Sequence, residues 1–305
     1  MQRLDTLLLL ILGAVWGASY LFMRIAAPVL GPISLMAARV ALAALALWIY
    51  CIAFSSRPDW RKRWRQFLFL GLFNNAVPFT LIAVAVIHLN ASIAAILNAT
   101  TPLFTAMISA MWLGEALGVR RFGGIVLGIG GVVILMGWSP LPLTARTLLA
   151  GGAALLAAVS YGLAAVYARS RFRDVPPEHT AVGQLTGATL ILTPVAFLQP
   201  PEEPISIAVA AAVLALALVC TSFAYLIYFR LIASAGATQA ATVTFLVPFF
   251  SVLWGVLLLG EPLSAGMLLG LVVILFSIWL VLGYGSQRFR KTLAARAAVR
   301  NTRPR

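Results

Sequence analysis

The chain has 305 residues, 62% of them hydrophobic and 10% charged, with a mean hydropathy of +1.00. A soluble domain of this length cannot hide that much apolar surface, and a bilayer admits only helices or closed barrels as spanning structures. The net charge of +14 invites a nucleic-acid reading, which the placement of the charges argues against, as shown below.

Ten apolar segments follow one another, each near the 20 residues needed to cross a hydrocarbon core of about 30 Å. They run over 4–23, 32–54, 66–87, 91–113, 121–138, 147–168, 178–198, 206–232, 237–259 and 264–284. Strand-type alternation is absent from them, so they read as helices. The first could pass for a signal peptide, with Arg3 ahead of a leucine run, but Trp16 and Tyr20 do not suit a small-residue cleavage site. It is read as helix one. The basic residues fall between these segments in a one-sided way. Arg3, the group from Arg57 to Arg65, Arg120 and Arg121, Arg169 to Arg173, Arg230 and the seven of the tail all lie on one side. Only Arg24, Arg39 and Arg146 lie on the other, which instead carries Glu202 and Glu203. This asymmetry places both termini in the cytoplasm. The tail, 285–305, reads as a basic cytoplasmic extension that contacts anionic lipid heads.

Two stretches repeat at an offset of 146. Pro102-Leu103-Phe104 returns as Pro248-Phe249-Phe250, and Leu113-Gly114-Glu115 as Leu259-Gly260-Glu261. Ala91/Ala237, Ala94/Ala240 and Gly124/Gly270 extend the match. Helix one matches helix six more weakly, with Ser19-Tyr20 against Ser160-Tyr161 at an offset of 141. Each half holds five helices, an odd number, so the second half must be inverted. The fold class that follows is an all-α membrane protein of ten transmembrane helices, in two inverted five-helix repeats over 4–138 and 147–284. Such repeats place a substrate site near the midplane where they meet, reached from each side in turn.

The residues from Asn98 to Pro102 and Trp112 to Glu115, with Ala224-Tyr225, Tyr228 to Arg230, Phe245 to Pro248 and Leu258 to Glu261, resemble the drug/metabolite transporter superfamily. Ala38-Arg39-Val40 also fits, and the likeness is to proteins with two EamA-type domains over residues 6–284. The resemblance implies ten helices in the inner membrane, a central cavity, no cofactor, and movement of small metabolites, without fixing which.

Polar groups at mid-membrane depth are the site candidates, because lipid penalises them unless they face protein or water. Asn98 and Thr101 sit one turn apart before Pro102, with Thr244 and Pro248 in the other half. Each proline frees the carbonyl four residues back, so the alternatives are a cavity wall or a kinked helix with interhelical hydrogen bonds. Trp16, Tyr20, Tyr161, Tyr225, Tyr228 and Phe79 are candidates to bind an amphipathic solute; the alternative is plain packing or, for Tyr20 above all, an interfacial belt. Asn74 and Asn75 before Pro78 mark either a local helix break or a polar helix contact. Arg39, two turns into helix two, reads as an attractor for a carboxylate, as a gate, or as a side chain snorkelling to the interface. Glu115 and Glu261 each follow a glycine that ends a helix and precede another start, which fits capping or a gating pair.

Gly124 with Gly128 and Gly266 with Gly270 read as close helix approaches rather than a nucleotide loop. His88, His179, Cys51 and Cys220 have no metal-ligand spacing. The expected partners are the lipid bilayer and a small-molecule substrate, not nucleic acid; the oligomeric state is not legible. The functional expectation is a metabolite exporter, amino acids foremost. A multidrug or organic-cation exporter and an importer of the same fold stand as alternatives, and an intramembrane enzyme lacks a cluster of acid, His or Cys residues. No Asp or Glu falls in a helix centre, which points to transport down the substrate gradient.

Overall fold

The computed structural model describes residues 3–54, 58–138, 142–199 and 204–282. The basic tail expected over 285–305, together with Arg57, Glu202 and Glu203, lies outside the described residues. Ten helical segments follow in order: α1 (Arg3–Leu30), α2 (Pro32–Phe54), α3 (Trp60–His88), α4 (Ala91–Leu113), α5 (Val119–Gly137), α6 (Ala145–Arg171), α7 (Pro177–Phe197), α8 (Ile207–Ala235), α9 (Ala237–Ala240 and Val243–Leu259) and α10 (Ala265–Leu282). All but α9 are long and apolar enough by themselves to cross a membrane. The chain is a multi-pass, all-helical membrane protein.

Local chemistry sets the ends. The four residues with positive φ among those described are Gly31, Gly114, Gly236 and Gly260, each at a helix terminus. A left-handed residue there is cheap only for glycine, which is why these positions stop helices. On the other side of the connections, Thr144 and Thr147 form a capping box at the start of α6, and Ser206 accepts from the Val209 amide at the start of α8.

The packing reveals the duplication. Helix α2 lies against α7 and α5 against α10, each beside its own counterpart. The α1–α9 contact is matched by α6–α4, the α2–α8 contact by α7–α3, and the α1–α8 contact by α6–α3. Most of the large contacts thus have a partner pair under exchange of the two halves, the pattern of a pseudo-two-fold axis between inverted repeats; the α1–α3 contact, which no comparable α6–α8 contact matches, departs from it. Glycines let the backbones meet. A Cβ on Gly270 would lie 2.8 Å from that of Leu135, and one on Gly131 would lie 2.8 Å from Ile274. The close helix approach expected from the glycine spacing is therefore present, and it joins α5 to α10.

One expected register is corrected. A Cβ on Gly17 would fall 2.9 Å from the Ser251 amide, and one on Gly162 would fall 2.9 Å from the Thr105 amide. Thr105 and Ser251 are 146 apart and Gly17 and Gly162 are 145 apart, so the offset for α1 and α6 is 145, not 141. The Ser-Tyr match is one helical turn out. A four-residue slip keeps the same face, so the short sequence match could not detect it. The same 145 relates Pro32 to Pro177, the first residues of α2 and α7.

Both α3 and α8 contain a π-helical stretch, Leu72–Ala76 and Ala215–Phe223, at positions that correspond under the 146 offset. Pro78 lies beyond the first, but its counterpart is Ala224, so proline is not required for the distortion. In α8 the Thr221 hydroxyl donates to the Leu216 carbonyl at 2.8 Å and Ser222 to that of Ala217 at 3.0 Å, each five residues back. In α3 the Ser160 hydroxyl reaches across from α6 to the Phe73 carbonyl at 2.7 Å. Hydroxyls thus supply partners for carbonyls in the distorted turns.

Gly17→Val should destabilise the protein by about 1–3 kcal/mol through overpacking of the α1–α9 contact. Gly152→Ala, where an added Cβ meets nothing within 4 Å, should be neutral or slightly stabilising. Thermal unfolding of the two purified variants against wild type checks this.

Candidate functional site

A cavity of about 350 Å³ lies between the halves and is lined by α1, α2, α3, α4, α6, α8 and α9. Its walls are built in symmetry-related pairs. Trp16 and Tyr161 line it, as do Tyr20 and Ala165, the next turn along α1 and α6. Phe79 and Tyr225 face it from α3 and α8, followed by Ile82 and Tyr228. From α4 and α9 come Asn98 with Thr244, Thr101 with Val247, and Pro102 with Pro248. The two repeats present the same positions but different chemistry.

The aromatic residues form the apolar surface. Trp16 and Tyr228 meet with ring centroids 5.4 Å apart, and Phe79 stands edge-on to Tyr161 at 6.4 Å. Tyr20, a candidate that also fitted an interfacial belt, is 4% exposed and lines the cavity. Its hydroxyl accepts a hydrogen bond from the Asn98 amide at 2.8 Å. The Asn98 amide oxygen is buried and has no hydrogen-bond partner among the described residues.

The freed-carbonyl expectation is corrected for Asn98. Helix α4 breaks at Ala99 and Thr100 and restarts at Thr101, and the Thr101 hydroxyl donates to the Asn98 carbonyl at 2.7 Å. Pro102 then sits in the first turn of the restarted helix, where its missing N–H costs nothing. Pro248 does lie inside a continuous helix, Val243–Leu259.

Asn74 lines the cavity and Asn75 does not; Asn75 is fully buried. Neighbouring residues on a helix point about 100° apart, so one face cannot hold both. Asn74 donates to the Gln184 side-chain oxygen at 2.8 Å, and the Gln184 amide donates to the Tyr225 hydroxyl at 3.0 Å. Gln184 thus ties α3 to α8 behind the cavity wall. The sequence reading missed it. The signal was present: Pro32 and Pro177 start their helices, and Arg39 and Gln184 each stand seven residues further on.

Arg39 does not snorkel. It is 5% exposed and lines the cavity. Its Nε donates to the Thr221 hydroxyl at 3.0 Å, its Nη1 lies 3.9 Å from the Met23 sulfur, and the guanidinium sits 4.0 Å over the Phe79 ring. No Asp or Glu lines the cavity among the described residues.

Glu115 and Glu261 stand away from the cavity, and neither serves the helix start that follows it. Glu261 reaches the N-terminus of α4 in the other repeat. Its Oε1 accepts from the Ala91 amide at 2.6 Å, and its Oε2 accepts from the Ser92 amide at 3.1 Å and from the Ser92 hydroxyl. The α10 start is capped by Ser264. Glu115 instead pairs with Arg169 and, at 3.6 Å, with Arg121. Equivalent positions in the two repeats therefore do different work, one closing a helix terminus and one joining α6 to the α4–α5 connection. No group of His, Cys, Asp and Glu able to hold a metal occurs among the described residues.

A model of the EamA-like transporter family matches the chain twice, over residues 5–137 and 148–283. The chain is 26% identical over 279 residues to an uncharacterised transporter of Bacillus subtilis (strain 168), YvbV, covering 90% of each. It is 26% identical over 268 residues to Protein PecM of Dickeya dadantii (strain 3937), covering 88% of each. A crystal structure of another protein superposes with a TM-score of 0.64 at 19% identity, over 94% of this chain and 99% of that one, a likeness of fold.

Glu261→Gln should lower stability by about 1–2 kcal/mol, because a buried helix terminus loses its counter-charge. Glu115→Gln should change it by less than about 1 kcal/mol, since its arginines are half exposed. Thermal unfolding in the same detergent ranks the two.

Proposed function

The chain belongs to the EamA-like transporter family, and from that premise we propose that it exports small organic metabolites of the amino-acid class by alternating access. The two five-helix units, 4–138 and 147–284, rock on one another so that the cavity opens to each side in turn. The protein sits in the inner membrane with both termini cytoplasmic, a reading supported by the one-sided placement of its basic residues.

The observation that carries the substrate reading is the cavity where the repeats meet. It combines a cation at Arg39, an acceptor without a partner at Asn98, and aromatic walls. A small zwitterion with an apolar side chain uses all three. The cavity has no carboxylate to take up a proton among the described residues, which supports facilitated or exchange transport rather than proton coupling.

Asn98→Ala and Tyr225→Ala should each lower transport about tenfold or more while the protein still reaches the membrane, as expected for loss of a buried polar partner. Profiling of the medium of overexpressing cells reads this: a few amino acids should rise with wild type and not with the double variant. Equal export by both would remove the cavity from the transport path. In proteoliposomes a pH gradient alone should drive no accumulation of those solutes; accumulation would refute the uncoupled mechanism.

A further inference from the structure

Two arginines of the first repeat are held against neighbouring helices, and they are held differently. Arg24 donates to the Val86 and Ile87 carbonyls, the latter at 2.8 Å, at the end of α3. That is a structural arginine: a cation on the negative end of a helix. Arg39 has no such partner. Its contacts are a hydroxyl, a thioether and a ring face, none of which carries negative charge. A guanidinium has five N–H donors and does not neutralise itself by losing a proton. One donor goes to Thr221 and one to the weak acceptor Met23. The Nη2 group makes no hydrogen bond or ion pair among the described residues.

The second repeat shows that the fold does not require this charge. Gln184, at the position equivalent to Arg39, satisfies its surroundings as a neutral amide. A buried, uncompensated cation is costly, and the cavity wall is where it is kept. Building on the transport reading above, we infer that Arg39 is the counter-ion for a carboxylate of the transported solute. The cavity accordingly takes organic monoanions and zwitterions and rejects organic cations. The guanidinium presents a planar fork that matches a carboxylate in two-point contact. Phe79, with its ring centroid 4.0 Å from the guanidinium carbon, packs against the guanidinium and leaves its in-plane N–H donors for the carboxylate.

Purified protein in detergent is tested by thermal shift with two probes that divide phenylalanine between them. 3-Phenylpropanoate keeps the carboxylate and lacks the ammonium; phenethylamine keeps the ammonium and lacks the carboxylate. 3-Phenylpropanoate should raise the wild-type midpoint by about 2–4 °C at saturation, with phenethylamine near zero. In Arg39→Gln, which copies the neutral residue of the other repeat, the 3-phenylpropanoate shift should vanish, and in Arg39→Lys part of it should remain. The wild-type ranking needs no variant, so a poorly folded Arg39→Gln does not blunt the test. An equal or larger shift with phenethylamine, no shift with either probe, or a 3-phenylpropanoate shift that survives in folded Arg39→Gln overturns the inference. These results are separable from the transport reading. Unchanged export in the Asn98→Ala/Tyr225→Ala variant would refute that reading and leave the binding order intact, whereas a preference for phenethylamine in a protein that still exports would refute only the role of Arg39.

Discussion

A polar group in the middle of this bundle has no solvent to fall back on, so it must find its partner on another helix or on the solute. That constraint explains why the hydrogen bonds between side chains cluster where the repeats meet. Asn98 is tied to Tyr20, Asn74 to Gln184, Gln184 to Tyr225, and Arg39 to Thr221. Two of these four bonds, Asn74 to Gln184 and Arg39 to Thr221, join a helix of one repeat to a helix of the other. The apolar exterior is permissive by comparison: residues such as Leu149, Val133 and Leu257 are well exposed, as lipid-facing residues should be.

The helices and their duplication were legible because they rest on patterns that lipid enforces. Ten apolar runs, glycine stops at Gly114 and Gly260, and the shared 146 offset were sufficient for the architecture. Register in α1 and α6 was not, because a slip of four residues leaves the same face inward and Ser-Tyr recurs at the wrong turn. Depth was also poorly legible. Arg39 and Tyr20 were both open to an interfacial reading, yet they are buried side by side with the central groups. Distance along a helix from its apparent start does not reveal which face a side chain takes. Gln184 escaped for a related reason: nothing in α7 alone distinguishes it until the helix is laid beside α2. The partner of Glu261 was beyond sequence reasoning, since Ala91 is 170 residues away and offers only its backbone amide.

Symmetry and asymmetry in this molecule fall on different levels. The backbone repeats: π-helical stretches at matching places in α3 and α8, glycine contacts at matching places in α1 and α6, prolines at matching places in α4 and α9. Two similar halves packed about an axis give a bundle two nearly equivalent arrangements. The side chains at the cavity do not repeat. Trp16 corresponds to Tyr161, Tyr20 to Ala165, and Arg39 to Gln184. Whatever lies in the cavity therefore meets unlike walls, which gives a bound solute a head and a tail.

The one fixed charge in that wall among the described residues also has an electrical consequence. One elementary charge crossing a membrane potential gains or loses about 2.3 kcal/mol per 100 mV. Arg39 remains a cation, so the empty bundle carries a positive charge inside the field. A bound organic monoanion cancels it and leaves the loaded bundle nearly invisible to the voltage, whereas a zwitterion brings its own ammonium and leaves the positive charge in place. On the alternating-access cycle proposed above, and for a monoanion, a potential negative inside would act mainly on the return of the unloaded protein and favour the arrangement that brings Arg39 closer to the inner side.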